Sequence, residues 1–161
     1  MAFWTALVPQ LKIFILAMLP IAEVRAAIPL GLTVYDQSIL TTFVFGAAGN
    51  FTAAAIVFLG LHMFGDKVIE KIPKIGPMLE KYLARARRIF KGKYEHWGVL
   101  GLVLFVGIPL PMTGGWTGAA AAYVFGFPKK KSLAALAAGV LLASTVMVVL
   151  TTGIEWIIRL F

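Results

Sequence analysis

The sequence predicts an all-α integral membrane fold: two inverted repeats, each a re-entrant, broken helical hairpin plus one full transmembrane helix, joined by a basic amphipathic cytoplasmic helix. Three observations predict it. The 161 residues are 60% hydrophobic and 14% charged, with a mean hydropathy of +0.91, whereas soluble domains run about 45–50% apolar and about 25% charged. Two apolar stretches, residues 39–64 and 133–158, are long enough to cross a bilayer. Each follows two short apolar halves separated by a proline break. The chain divides into residues 1–65, a connector 66–97 and residues 98–161, all within one membrane domain.

In order, residues 3–19 are apolar but carry Pro9, Gln10 and Lys12, and residues 21–34 carry Glu23, Arg25 and Pro29. A span needs about 20 mostly apolar residues at 1.5 Å each. Neither half is a convincing crossing, and together they predict a hairpin that enters and leaves by one face. Residues 1–9 hold no Lys or Arg, and Lys12 interrupts the apolar run, so a cleaved signal peptide is not expected. Residues 35–38 are polar, and Asp36 or Ser38 is placed to cap the helix that follows.

The connector changes character. Met78, Leu79, Tyr82, Leu83, Ala86, Ile89 and Phe90 recur at helical spacing, with Lys81, Arg85, Arg88 and Lys91 between them. This predicts a basic amphipathic helix lying on an anionic membrane surface, the alternative being a solvated connector. Residues 99–111 are again too short to span and end in Ile108-Pro109-Leu110-Pro111. A Gly- and Ala-rich half follows, then Lys129, Lys130 and Lys131 introduce the second crossing.

The halves also share a weak sequence match. Pro20 lies 29 residues before Gly49 and Pro109 lies 30 before Gly139, and each glycine closes an Ala-Ala-Gly. Each half makes a net single crossing, so the halves run in opposite orientations, an architecture of transporters. The net charge of +8 is concentrated between Lys67 and Lys131. Positive-inside distribution explains that clustering better than a nucleic-acid surface does. It puts the connector and the triple lysine in the cytoplasm and both termini outside, in the cell (inner) membrane. No nucleic-acid partner is expected.

Chemistry concentrates in the broken segments. A charge at mid-membrane depth costs about 2.5–3.5 kcal/mol unless paired or hydrated, so Glu23 and Arg25 stand out. Residues two apart do not face each other on a helix, but in an extended stretch they share a side. Pro20 and Pro29 favour local opening, because neither can bond the carbonyl four residues back. An opened Glu23-Val24-Arg25 would present acid, base and free carbonyls to one cavity; the alternative is an ion pair that only ties the hairpin or lies at the interface. Pro109, Pro111, Thr113, Gly114, Gly115, Thr117 and Gly118 give the second hairpin breaks and small polar groups without charge. Close packing through small residues explains them equally well. Asn50, within the first span, is placed to hydrogen-bond a hairpin or a second helix.

Other classes find little support. There is no cysteine, and His62 and His96 lack the carboxylate spacing of a metal site. No nucleophile–base pair or phosphate loop is present, so neither an enzyme, a cofactor nor a metal is expected. Small-residue faces such as Gly46/Gly49 and Ala134–Ala138 permit close helix contact, which allows a homodimer.

Pro20-x-x-Glu23-x-Arg25-x-x-Ile28-Pro29-Leu30-Gly31, then Gly49-Asn50, then Ile108-Pro109-Leu110-Pro111-x-Thr113-Gly114-x-x-Thr117-Gly118 resembles the small multidrug export protein family. That family looks related to the DedA superfamily of re-entrant-hairpin membrane proteins. The resemblance implies export, and its DedA side implies proton-linked movement of anionic lipids such as lipid-carrier phosphates. DedA proteins carry arginine in the second hairpin, whereas residues 107–118 have none; Arg25 would take that role.

The leading expectation is a proton-coupled secondary transporter or lipid translocase for an anionic substrate, lipid or small molecule. Its site would lie between the hairpins, Arg25 attracting the anion and Glu23 carrying the proton. Cavity lining would come from Pro20, Pro29, Asn50, Pro109, Pro111, Thr113, Gly114, Gly115 and Thr117. The alternatives are export of cationic drugs, with Glu23 as the cation-binding acid, and a non-transporting scaffold whose basic helix recruits lipid or protein.

Overall fold

The computed structural model describes residues 8–91, 94–110 and 113–160. Within them are seven α-helices and no strand: α1 (Pro9–Met18), α2 (Glu23–Thr33), α3 (Ile39–Lys71), α4 (Gly76–Lys91), α5 (Gly98–Gly107), α6 (Gly115–Val124) and α7 (Lys129–Leu160). A short 3-10 turn, Glu95–Trp97, leads into α5.

Length sorts the helices. α3 has 33 residues and α7 has 32, about 50 Å each at 1.5 Å per residue, and both are apolar enough to cross a membrane. Ser38 starts α3 as its cap, its hydroxyl accepting the Thr41 N–H at 3.2 Å. α3 continues past residue 65, where the composition turns polar, as far as Lys71. The other four apolar helices have 10 or 11 residues, about half a bilayer. Leu40, Val44, Ile56 and Met63 on α3, with Leu141, Val149 and Ile154 on α7, are exposed, as suits helices facing lipid.

The packing exchanges partners. α1 lies on α3 and α5 on α7, while α2 reaches across to α7 and α6 to α3; the two long helices also touch each other. The first pair of contacts is made through glycine. A Cβ on Gly49 would collide with the Phe14 carbonyl oxygen, and one on Gly139 would come within 2.6 Å of the Val106 Cβ and 3.0 Å of the Val103 carbonyl oxygen. Both carbonyls stand six residues before their hairpin's proline, Pro20 or Pro109. The spacing of proline and Ala-Ala-Gly noted in the sequence is therefore a packing contact in each half.

α6 is the innermost helix. Ala119, Ala120, Ala121 and Ala122 are consecutive and all fully buried. Four successive residues point around the whole helix, so α6 is enclosed on every side, and small side chains allow its neighbours close. One neighbour is α4. Its buried residues Leu83 and Ala86 pack with Leu61 and Ala120, and Phe90 meets Phe105 edge-on with ring centroids 5.4 Å apart. The expectation that this face lies in the membrane surface is corrected for its centre: protein covers Leu83, Ala86 and Phe90, Met78 at the start of the helix stays exposed, and the outer side carries Lys81, Arg85, Arg87 and Arg88. Amphipathic spacing demands an apolar partner without saying whether that partner is lipid or another helix.

Candidate functional site

The two hairpin tips meet. In the first, α1 stops at Met18 because Pro20 has no N–H and holds Leu19 extended. The chain turns through residues 19–22, and Glu23 opens α2 with a left-handed backbone, φ 45°. In the second, α5 ends at Gly107 and Ile108 is extended ahead of Pro109. Thr113 ties this turn, its hydroxyl lying 2.9 Å from the carbonyl oxygens of both Ile108 and Leu110. Gly114, at φ 142° and ψ −169°, then starts α6 from a backbone region that belongs to glycine.

Glu23 crosses from one tip to the other. Its carboxylate accepts the Trp116 backbone N–H at 3.3 Å and also faces that of Gly115. A Cβ on Gly114 would occupy the position of the carboxylate oxygen, so the glycine makes the contact possible. The first N–H groups of a helix have no partner within it and carry the positive end of its dipole, which is where a carboxylate is stabilised. Trp116 returns the tie, its indole N–H donating to the Met18 carbonyl at the end of α1 at 3.0 Å. Each hairpin therefore caps a helix of the other.

Arg25 stands 3.7 Å from the Glu23 carboxylate; its side chain is 28% exposed against 7% for Glu23. The pair forms without the extended stretch expected: Val24 and Arg25 are already helical. The left-handed turn at Glu23 takes its side chain out of the helical progression, which lets residues two apart face each other. Pro29 is a second correction. It lies inside α2 without breaking it, because buried Ile28 is held against Gly46 and fixes the helical path.

Glu23, Arg25, Pro20 and Ile21 from the first tip, Thr113, Trp116 and Thr117 from the second, and Tyr82 from α4 line a cavity of about 300 Å³. Gly114 and Gly115 flank it. Asn50, 1% exposed, lies behind Gly115, where an added Cβ would come within 2.5 Å of its side-chain oxygen. Pro109 shapes the tip without lining the cavity, Pro29 stands apart, and Pro111 lies outside the described residues. A second cavity of about 280 Å³, between α3 and α7, is lined only by apolar residues such as Phe43, Phe51 and Val140 and has no group to do chemistry. Among the described residues no three His, Asp or Glu side chains converge as a metal would require.

Tyr82 and Trp116 line the cavity without a local signal in the sequence that points to it. By spacing Tyr82 belongs to the apolar face of α4, where its hydroxyl is the one discordant atom. Trp116 lay inside the glycine run, overshadowed by its neighbours.

Seven helices among the described residues, two of them long and apolar enough to cross a membrane, with a charged cavity where two short-helix hairpins meet, define a small helical membrane protein. The family described as "Putative small multi-drug export protein" matches residues 23–146, and the chain belongs to it. The match begins at Glu23, so it includes Glu23, Arg25 and the whole second tip but not the first tip's turn, residues 19–22. No curated protein and no solved structure matches the chain.

Proposed function

We propose that this protein is a proton-coupled secondary transporter or lipid translocase for an anionic substrate, working at the cavity between the hairpin tips. One observation carries the reading: Glu23, held by the start of α6 in one hairpin and by Arg25 in the other, lies on the wall of a cavity large enough for a small ligand or a lipid headgroup. Arg25 is the cationic side chain of that lining and attracts the anion. A proton on Glu23 and an anion on Arg25 each neutralise half of the pair, so the two binding events favour each other. Ionisable residues at membrane depth are functional sites by default.

The same reading takes the two halves as inverted repeats with re-entrant hairpins, a kinship with DedA-like proteins, a cytoplasmic connector and outward termini in the inner membrane. The exchanged helix contacts and the paired roles of Gly49 and Gly139 support the repeat. A homodimer and a non-enzymatic role complete it.

The family's name favours a second reading, export of a cationic drug. A cation would need the Glu23 carboxylate free, whereas here that carboxylate is engaged by N–H groups and a guanidinium. Transport by purified protein in liposomes separates the two. Under the anion reading Glu23→Gln and Arg25→Ala both abolish transport while the fold survives. A substrate that needs Glu23 and tolerates Arg25→Ala would establish drug export instead, and undiminished transport in both variants would defeat either mechanism.

A further inference from the structure

We propose that the Tyr82 hydroxyl is a hydrogen-bond donor to the bound substrate, supplied by the connector helix α4 to the cavity wall it shares with Arg25. The inference rests on the anion-transport reading and adds to it a residue and a ligand geometry.

It follows from accounting for the side-chain donors in the cavity. The Trp116 N–H is used on Glu23 and its indole N–H on the Met18 carbonyl. The Thr113 hydroxyl is used on the carbonyls of Ile108 and Leu110, and the Thr117 hydroxyl lies 3.4 Å from the Gly114 carbonyl. Two side-chain donors remain for a ligand. One is the Arg25 guanidinium, whose five N–H groups are far from exhausted by a single carboxylate at 3.7 Å. The other is the Tyr82 hydroxyl, which is buried and has no hydrogen-bond partner among the described residues.

A buried hydroxyl without a partner is costly, and a ligand oxygen within its reach would relieve that cost. Tyr82 is held in place, since α4 is seated on α6 and α3 through Leu83 and Ala86. Burial and the nearby Glu23 carboxylate both push its phenol above the usual tyrosine range, so it keeps its proton and serves as a donor. A guanidinium and a phenol acting together suit a group with at least two acceptor oxygens, a phosphate or a carboxylate, from either a lipid headgroup or a free organic anion.

The test is a binding titration on the full-length protein in detergent, comparing wild type with Tyr82→Phe. The probes are dihexanoyl phosphatidate, glycerol 3-phosphate and tetraphenylphosphonium. Wild type should bind a phosphate probe, and Tyr82→Phe should bind it about tenfold more weakly or worse, the loss of one bond to a charged group. Preference for phosphatidate would identify a lipid headgroup, and equal binding of both phosphates a free anion; either supports the donor role. Because the variant only removes an unpaired hydroxyl, its unfolding temperature without ligand should be unchanged or higher. A fall would show that the hydroxyl already has a structural partner, which overturns the proposal. Equal affinity of wild type and variant overturns it while leaving the anion reading intact. Binding of tetraphenylphosphonium but of neither phosphate overturns both.

Discussion

Gly114→Ala is the sharpest perturbation of the tie between the hairpins. Two effects add. The backbone there, φ 142° and ψ −169°, lies in a region that residues with a Cβ enter only at about 1–3 kcal/mol. The added methyl would also stand where the Glu23 carboxylate oxygen now sits, so the carboxylate must leave the start of α6. Its bond to the Trp116 N–H is long at 3.3 Å, which puts the loss near the lower end for a charged group, about 1.5 kcal/mol. The expected destabilisation is therefore about 3 kcal/mol, read from reversible unfolding in detergent. Gly60→Ala is the control: no atom outside its own helix lies within 4 Å of the new Cβ, and a helical Gly→Ala change of this kind should be neutral or stabilising by about 0.5–1 kcal/mol. The mechanism is isolated by repeating Gly114→Ala in a Glu23→Ala background. With the carboxylate already gone, the steric part of the loss should vanish, leaving a coupling of about 1.5 kcal/mol. Strict additivity would refute the argument that the glycine exists to admit Glu23.

Trp116→Phe keeps most of the aromatic volume but removes the indole bond to Met18; stability should fall by about 1–2 kcal/mol, and a neutral result in thermal unfolding would mean that the return tie contributes nothing. Gly49→Ala and Gly139→Ala should each destabilise by about 1–3 kcal/mol through overpacking against the first hairpin helix of their own half. If one proves neutral in the same unfolding assay, the equivalence of the halves at that contact fails.

How much of this was legible in the sequence depended on whether the determinant was local. The long helices follow from composition alone, and the tips follow from Pro20 and Pro109, because a missing N–H acts within a few residues. Pro29 has the same local chemistry but the opposite outcome: Ile28, buried against Gly46 on another helix, overrides it, and nothing near Pro29 announces that contact. The face of α4 is legible as apolar, but that Leu83, Ala86 and Phe90 meet other helices instead of lipid is not. Glu23 and Arg25 stood out because charge is rare in such sequence, yet the more telling partner of Glu23 is Trp116, 93 residues away. No periodicity within either hairpin could reveal a bond between them.

That long-range bond changes what Glu23 can do. Read from sequence, Glu23 and Arg25 form a pair within one hairpin, free to respond to a proton or an anion locally. In the fold the carboxylate also holds the first N–H groups of α6, the enclosed helix at the centre of the protein. On the transport reading, releasing the carboxylate from that position leaves the start of α6 without an acceptor and the tips without half of their mutual tie. A substrate oxygen entering from the Arg25 side could take over the N–H groups that Glu23 gives up, since a helix start accepts any anion of suitable shape. Protonation, anion binding and separation of the hairpins would then be one linked event. On that reading the linkage would run through Gly114, whose lack of a Cβ is what admits the Glu23 carboxylate to the start of α6.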